Sequence, residues 1–169
     1  RVRSSAASDV YKRQVWKLLL SLVPPAVGWL FNASILVWSE IPLLSGLVWY
    51  GLPLAELFFW YQAGRKCRAK ALGYLPSLAL THWVVAAEAA VYLWQFLFVS
   101  SEARSAALAG FSQMFNIFVI YTARLAPLFE TRPNYFGQAT FLGMELMGLV
   151  LLAGAFSAGY LWPPKELNE

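Results

Sequence analysis

The apolar residues of this chain form five long blocks, and short polar or proline-containing segments separate them. The blocks cover about 15–37, 41–62, 72–99, 105–126 and 137–162. Each is close to the ~20 residues that an α-helix needs to cross the hydrocarbon core of a bilayer. The pattern therefore predicts an all-α, polytopic transmembrane helix bundle of about five spans, rather than the amphipathic helices of a soluble protein.

Prolines are expected to bend or end some of these helices. Pro24 and Pro25 lack the backbone N–H donors of a regular helix, which predicts a kink within the first span. Two further prolines directly after residue 162 predict the end of the last helix. A single membrane domain at 15–162 therefore accounts for all the apolar blocks, and 163–169 form a short polar tail.

The start of the chain has a different character. Residues 4–14 read SSAASDVYKRQ, which resembles translated sequencing-adapter sequence from assembled environmental data. Residues 1–14 are therefore expected to be a non-native or disordered segment, and they do not enter the interpretation of the fold. The source is then expected to be a microbe, and five is a lower bound on the number of spans.

Composition agrees with a membrane location. Hydrophobic residues make up 59% of the chain and charged residues only 13%, about half the usual share for a soluble domain. The net charge of +4 does not indicate nucleic-acid binding, because the basic residues cluster at the ends of apolar blocks. The single cysteine, Cys67, cannot form a disulfide within the chain.

The strongest mark of topology is a basic run after the second block, formed by Arg65, Lys66, Arg68 and Lys70. Positively charged loops favour the cytoplasmic side, which predicts that this run lies in the cytoplasm. Alternation over five spans then places the N-terminus inside and the C-terminus outside, in a microbial plasma membrane. The same run is suited to contact anionic lipid headgroups, although orientation alone accounts for it.

Among the polar side chains inside the predicted spans, seven are the candidates for chemistry. A carboxylate in hydrocarbon costs at least a few kcal/mol, about 2.5 or more, unless it is neutralised, paired or hydrated, so an intramembrane ionisable residue is a functional candidate. The seven are Glu56, His82, Glu88, Gln95, Gln113, Asn116 and Glu145.

Depth sorts most of these candidates into two layers, counted at ~1.5 Å per residue from the block edges. The first layer holds Glu56, His82 and Glu145, and the second holds Glu88, Gln113 and Asn116. Two such layers could serve as stations of a proton or cation path. They could equally hold the helices in register through hydrogen bonds, so both interpretations stay open.

Motifs for metal or cofactor chemistry are lacking in the sequence. A single histidine cannot supply both axial ligands of a b-type haem, and there is no HExxH, GxSxG or phosphate-binding loop. We therefore expect no metal and no cofactor, and a non-enzymatic role is favoured over catalysis.

One segment points to an alternative. Residues 131–137 read TRPNYFG, which resembles the RHPNYFG signature of isoprenylcysteine methyltransferase and steroid-reductase-like membrane enzymes. In that superfamily the segment precedes a membrane helix and helps to bind a nucleotide-containing cofactor at the cytoplasmic face. The resemblance implies S-adenosylmethionine or a reduced nicotinamide. A turn at Pro133 and Asn134, followed by interfacial aromatic residues, is the structural alternative.

Together these features favour a small membrane transport or binding protein whose interior carboxylates contact a proton, a cation or a small polar solute. Glu88 and Glu145 are the first candidates, followed by Glu56 and His82. The competing interpretations are a membrane-embedded methyltransferase or reductase and a non-catalytic subunit of a membrane complex. A homo-oligomer is also compatible with the sequence.

Overall fold

The computed structural model describes residues 14–124 and 137–162, and this part of the chain is helical. Four of its helices are long and apolar enough to cross a membrane: α1 (Gln14–Trp38), α2 (Pro42–Ala69), α3 (Tyr74–Leu97) and α6 (Gln138–Leu161). Two short helices, α4 (Ala106–Phe111) and α5 (Val119–Thr122), lie between α3 and α6. The predicted all-α, polytopic membrane bundle is confirmed.

Prolines shape two of the long helices. In α1, a turn interrupts the helix at Ser21, and Val23–Trp38 follows it. Pro24 and Pro25 lie just after this turn. Because proline has no backbone N–H, neither residue can donate a hydrogen bond to the preceding turn, which explains the interruption where a kink was predicted. In α2, Pro53 removes a donor directly after the π-helical turn Leu47–Gly51, which joins Pro42–Gly46 to Leu52–Ala69.

The two ends of the described chain lie at the same end of the bundle as the basic run. Arg68 Nη1 donates to the Tyr160 carbonyl at 3.1 Å, and the Tyr160 hydroxyl donates to the Leu72 carbonyl. Lys70 Nζ lies 5.0 Å from the centre of the Trp16 ring. The last turn of α6 and the first turn of α1 therefore meet the α2–α3 connection, and this side of the molecule is called the basic end.

The predicted placement of the two termini on opposite sides does not agree with these contacts. Alternation over five spans assumes that residues 105–126 cross the whole bilayer. In the structure, α4 and α5 are too short to do so, and residues 112–118 between them do not form a regular helix. Of the five predicted apolar spans, this one is an interrupted segment instead of a continuous helix.

This interrupted segment starts at the end opposite the basic end. The Ser105 backbone N–H donates to Gln95 Oε1 at 3.0 Å, and Arg104 Nε donates to the Gln95 carbonyl at 3.1 Å. Both contacts place the start of α4 beside the last turns of α3. From there the chain descends to the middle of α1, where the Met114 carbonyl lies directly against Gly28.

The segment then returns to the end from which it came. The Tyr121 hydroxyl donates to the Tyr50 carbonyl at 2.6 Å, and Ala123 lines the same small pocket as Ser45, near the start of α2. Helix α6 also begins at this end, because the Gln138 side chain donates to the Phe96 carbonyl. Residues 105–124 thus enter and leave the bundle at one end, and they are called the re-entrant segment.

Polar side chains explain why the helix stops where it does. Ser112 Oγ and Gln113 Nε2 both donate to the Ala109 carbonyl, at 3.0 and 2.7 Å, and Asn116 Oδ1 accepts from the Phe118 N–H at 3.3 Å. Side chains of this kind offer the backbone local alternatives to the helical ladder. Non-helical backbone at membrane depth is tolerated where it is buried in protein or lines a cavity.

Cysteine labelling tests this topology. With Cys67 replaced by alanine, cysteines introduced at Lys66 and Trp162 should react alike with a membrane-impermeant thiol reagent in intact cells. A cysteine at Glu102 should show the opposite accessibility, because residues 100–105 lie at the other end of the bundle. If the Trp162 variant reacted like the Glu102 variant and unlike the Lys66 variant, the re-entrant topology would be contradicted.

Candidate functional site

A cavity of about 330 Å³ lies where the re-entrant segment meets α1, α2 and α6. Its size falls at the lower end of the range for small-molecule sites. The polar side chains that line it are Asn32, Gln113, Asn116 and Glu145, and aromatic walls come from Phe31 and Trp49. The lining therefore brings together Gln113, Asn116 and Glu145, three of the seven sequence candidates.

Glu145 is the acidic residue of this lining. Its side chain is buried, and its Oε2 accepts from Asn116 Nδ2 at 2.9 Å. The same Asn116 nitrogen donates to the Met144 carbonyl at 3.2 Å, which fixes the re-entrant segment to α6. Glu145 Oε1 is buried and has no hydrogen-bond partner among the described residues. One carboxyl oxygen is thus held by Asn116, and the other is buried without a partner among the described residues, in a side chain that lines the cavity.

Small residues on α6 let the re-entrant segment approach this helix closely. A Cβ at Gly148 would lie 2.6 Å from Asn116 Oδ1, so a larger residue would push the asparagine away from α6. Helical spacing puts Glu145 on the same stripe as Gly148 and Gly159, and the structure places both glycines in close contacts with other elements.

Glu88 on α3 is a second buried acid. Both carboxyl oxygens of Glu88 are buried, and neither has a hydrogen-bond partner in the described ranges. An unpaired carboxylate is costly in a medium that water does not reach. The two acids together therefore need a proton, or a cation in its place.

The structure thus changes the predicted layers. Glu145 belongs with Glu88 and Asn116, not with Glu56 and His82. The reason is the direction of α6, which begins at Gln138 beside the last turns of α3 and ends at the basic end. The depth of Glu145 therefore has to be counted from the opposite side of the membrane.

Glu56 and His82 lie in a separate cluster that does not line the cavity. The His82 ring lies 4.4 Å from the ring of Trp60, and His82 Nδ1 lies 2.9 Å from Thr81 Oγ1. Glu56, one turn before Trp60, is buried, and both its carboxyl oxygens lack a partner within the described part of the chain. This cluster packs α2, α3 and α6 together nearer the basic end.

Gln95 has a structural position. Its side-chain oxygen and its backbone carbonyl hold the entry of the re-entrant segment, as described above, and Arg104 lies 4.2 Å from the centre of the Phe96 ring. Sequence reasoning did not single out Asn32. A signal was present, because Asn32 is four residues after Gly28 and so shares its helical face.

The basic run is anchored by contacts within the protein. Arg68 and Lys70 make the contacts that define the basic end, and Arg65 Nη1 lies 3.5 Å from Gln62 Oε1. Binding of anionic lipid headgroups stays a prediction. Across the described residues, no group of three or more His, Cys, Asp or Glu side chains is placed to hold a metal ion.

No protein family, curated protein or solved structure matches this chain. The TRPNYFG segment lies outside the described residues except for Gly137, which precedes α6 at the end opposite the basic end. The cofactors that the segment implies therefore stay predictions.

Proposed function

We propose that this protein binds and transports a small polar or cationic solute through the cavity at the re-entrant segment. The observation that supports this most directly is that Glu145, a buried acid with one unpartnered oxygen among the described residues, lines a cavity next to non-helical backbone. Interrupted helices form the substrate sites of many transporters, because backbone that is not helical can line a cavity at membrane depth.

The paired acids suggest how binding is coupled to protons. Two buried carboxylates in a low-dielectric site do not both carry a negative charge at low cost, so at least one of Glu88 and Glu145 holds a proton when the cavity is empty. A cation that enters beside Glu145 supplies the positive charge that the proton supplied before. Solute binding therefore releases a proton, and the movement of one is linked to the movement of the other.

The orientation follows from the basic run. With Arg65 to Lys70 in the cytoplasm of a microbial cell, the re-entrant segment enters from the external side. Solute then reaches the cavity from outside. Lipid surrounds the bundle, because large apolar side chains such as Leu36, Leu43 and Phe98 are exposed on the long helices and their ends.

Proton flux into liposomes tests the role of Glu145. The purified protein is reconstituted with a pH-sensitive dye inside, a membrane potential is imposed, and 2-phenylethylammonium, choline, potassium or glucose is offered as the test solute, with protein-free liposomes as the blank. Glu145→Gln keeps the size and one acceptor but cannot release a proton, so we expect solute-dependent flux to fall at least about tenfold.

Two matched carboxyl variants complete this test. Glu88→Gln should keep solute binding and lose the coupling to protons, because Glu88 does not line the cavity. Glu56→Gln changes an equally buried carboxyl in the other cluster and should leave the flux unchanged. An unaltered flux in a folded Glu145→Gln protein would rule out the proposed mechanism.

A further inference from the structure

The side-chain nitrogen atoms of the three amides in the cavity donate hydrogen bonds to backbone carbonyls of the protein. Asn32 Nδ2 donates to the Gly28 carbonyl at 2.8 Å, and Gln113 Nε2 donates to the Ala109 carbonyl at 2.7 Å. The Asn116 nitrogen likewise donates at 3.2 Å to a carbonyl of α6. Because a backbone carbonyl can only accept, these bonds identify which end of each amide carries hydrogen.

The cavity therefore offers a ligand more acceptors than donors. The side-chain oxygens of Asn32 and Gln113 and the carboxyl of Glu145 can accept, and the second N–H of Gln113 Nε2 can donate. No lysine or arginine is among the described residues that line the cavity. A ligand that satisfies this lining must donate hydrogen bonds, and the carboxyl favours one that carries a positive charge.

The rest of the lining is apolar and aromatic. Phe31 and Trp49 meet edge to face, with ring centres 5.0 Å apart and an angle of 80° between the rings, and Ile35 and Ile117 add aliphatic surface. A bare metal ion would not fill a space of about 330 Å³. Aromatic rings also attract organic cations. The ligand therefore combines a cationic donor group with an apolar body.

We propose that the cavity binds a primary ammonium with an apolar body, such as an alkyl or arylalkyl amine. This assignment rests on the proposed function, because it names the class of solute that the same cavity takes. A primary ammonium has three N–H donors for the acceptors of Glu145, Asn32 and Gln113. A quaternary ammonium has none and would leave these acceptors unpaired, and a neutral alcohol would leave the carboxyl without a counter-charge.

Binding to the purified protein tests this assignment with three phenyl probes and potassium. Calorimetry with 2-phenylethylammonium should show saturable binding at least about tenfold tighter than with phenyltrimethylammonium or 2-phenylethanol. Potassium should not compete. Equal or tighter binding of either of the other two phenyl probes would overturn the proposed ligand class.

Matched variants locate the binding site. Glu145→Gln should weaken 2-phenylethylammonium at least about tenfold, whereas Glu56→Gln, a buried carboxyl outside the cavity, should not change it. If Glu145→Gln does not fold, Asn32→Leu removes one acceptor at similar size and should weaken binding about threefold or more. Unchanged binding in a folded Glu145→Gln protein would place the amine elsewhere and overturn the proposal. If Glu145→Gln cannot be purified, unchanged binding in Asn32→Leu would do the same.

The two proposals fail in different ways. Selective amine binding that depends on Glu145, without solute-dependent proton flux, would support the ligand class and refute transport. Glu145-dependent flux with potassium or glucose, without amine binding, would support transport and refute the ligand class.

Discussion

A single methyl group at Gly159 should force α2 and α6 apart. A Cβ at this position would overlap the Tyr61 carbonyl oxygen and lie 2.7 Å from its carbon, and a backbone group of a packed helix cannot turn aside as a side chain can. This is the most extensive helix contact in the described part of the chain. We expect Gly159→Ala to lower the unfolding midpoint in detergent by about 10 °C, for a loss of about 3 kcal/mol.

The same substitution five residues earlier is the control. A Cβ at Gly154 would meet no atom within 4 Å, and alanine is a better helix former than glycine by about 1 kcal/mol. Gly154→Ala should therefore leave the midpoint unchanged or raise it slightly. Equal midpoints for the two variants would mean that α2 and α6 do not approach as closely as the structure shows.

A methyl group at Gly28 should displace the re-entrant segment and disable the cavity. A Cβ there would overlap the Met114 carbonyl oxygen, and the non-helical stretch around Met114 has no regular hydrogen-bond ladder to hold it in place. We expect Gly28→Ala to weaken 2-phenylethylammonium binding at least about tenfold and to increase amide hydrogen exchange in 105–124. The α2–α6 contact should be retained, so exchange in 138–161 should change little.

Gly154→Ala again serves as the control, because it adds the same methyl group to an open position of a long helix. It should leave both binding and exchange as they are in the parent protein. Parental exchange of residues 105–124 in Gly28→Ala would show that this glycine does not support the segment.

The long helices could be predicted from sequence because a run of apolar residues is a local signal. The third block, predicted at 72–99, is the helix Tyr74–Leu97. The second was predicted to end near residue 62 and continues to Ala69, because its basic run stays helical after the apolar residues end. Arg and Lys are good helix formers, and hydropathy alone does not report this.

The re-entrant segment could not be predicted from apolar length, because 105–126 are as long as a span. The sequence contains the polar residues Ser112, Gln113 and Asn116, which interrupt the helix in the structure. Helical spacing could equally place them on one polar face of an intact helix. What decides between these outcomes is the packing of Met114 on Gly28, a contact between residues far apart in the chain. The pairing of Asn116 with Glu145 depends on the same fold and was therefore equally hidden.

The principal contact of α2 also bears on the order in which the protein can assemble during synthesis. Trp60 of α2 is fully buried, with its ring 6.4 Å from that of Phe156, and Gly64 packs on the backbone of the same α6 turn. A ribosome makes α6 only after α1 to α5. The contact of Trp60 with His82 of α3 can form before then, but the contact of α2 with α6 is a non-local one of the kind that closes late in folding. The α2–α6 contact therefore forms only after the intervening elements have been made, rather than span by span as the chain emerges.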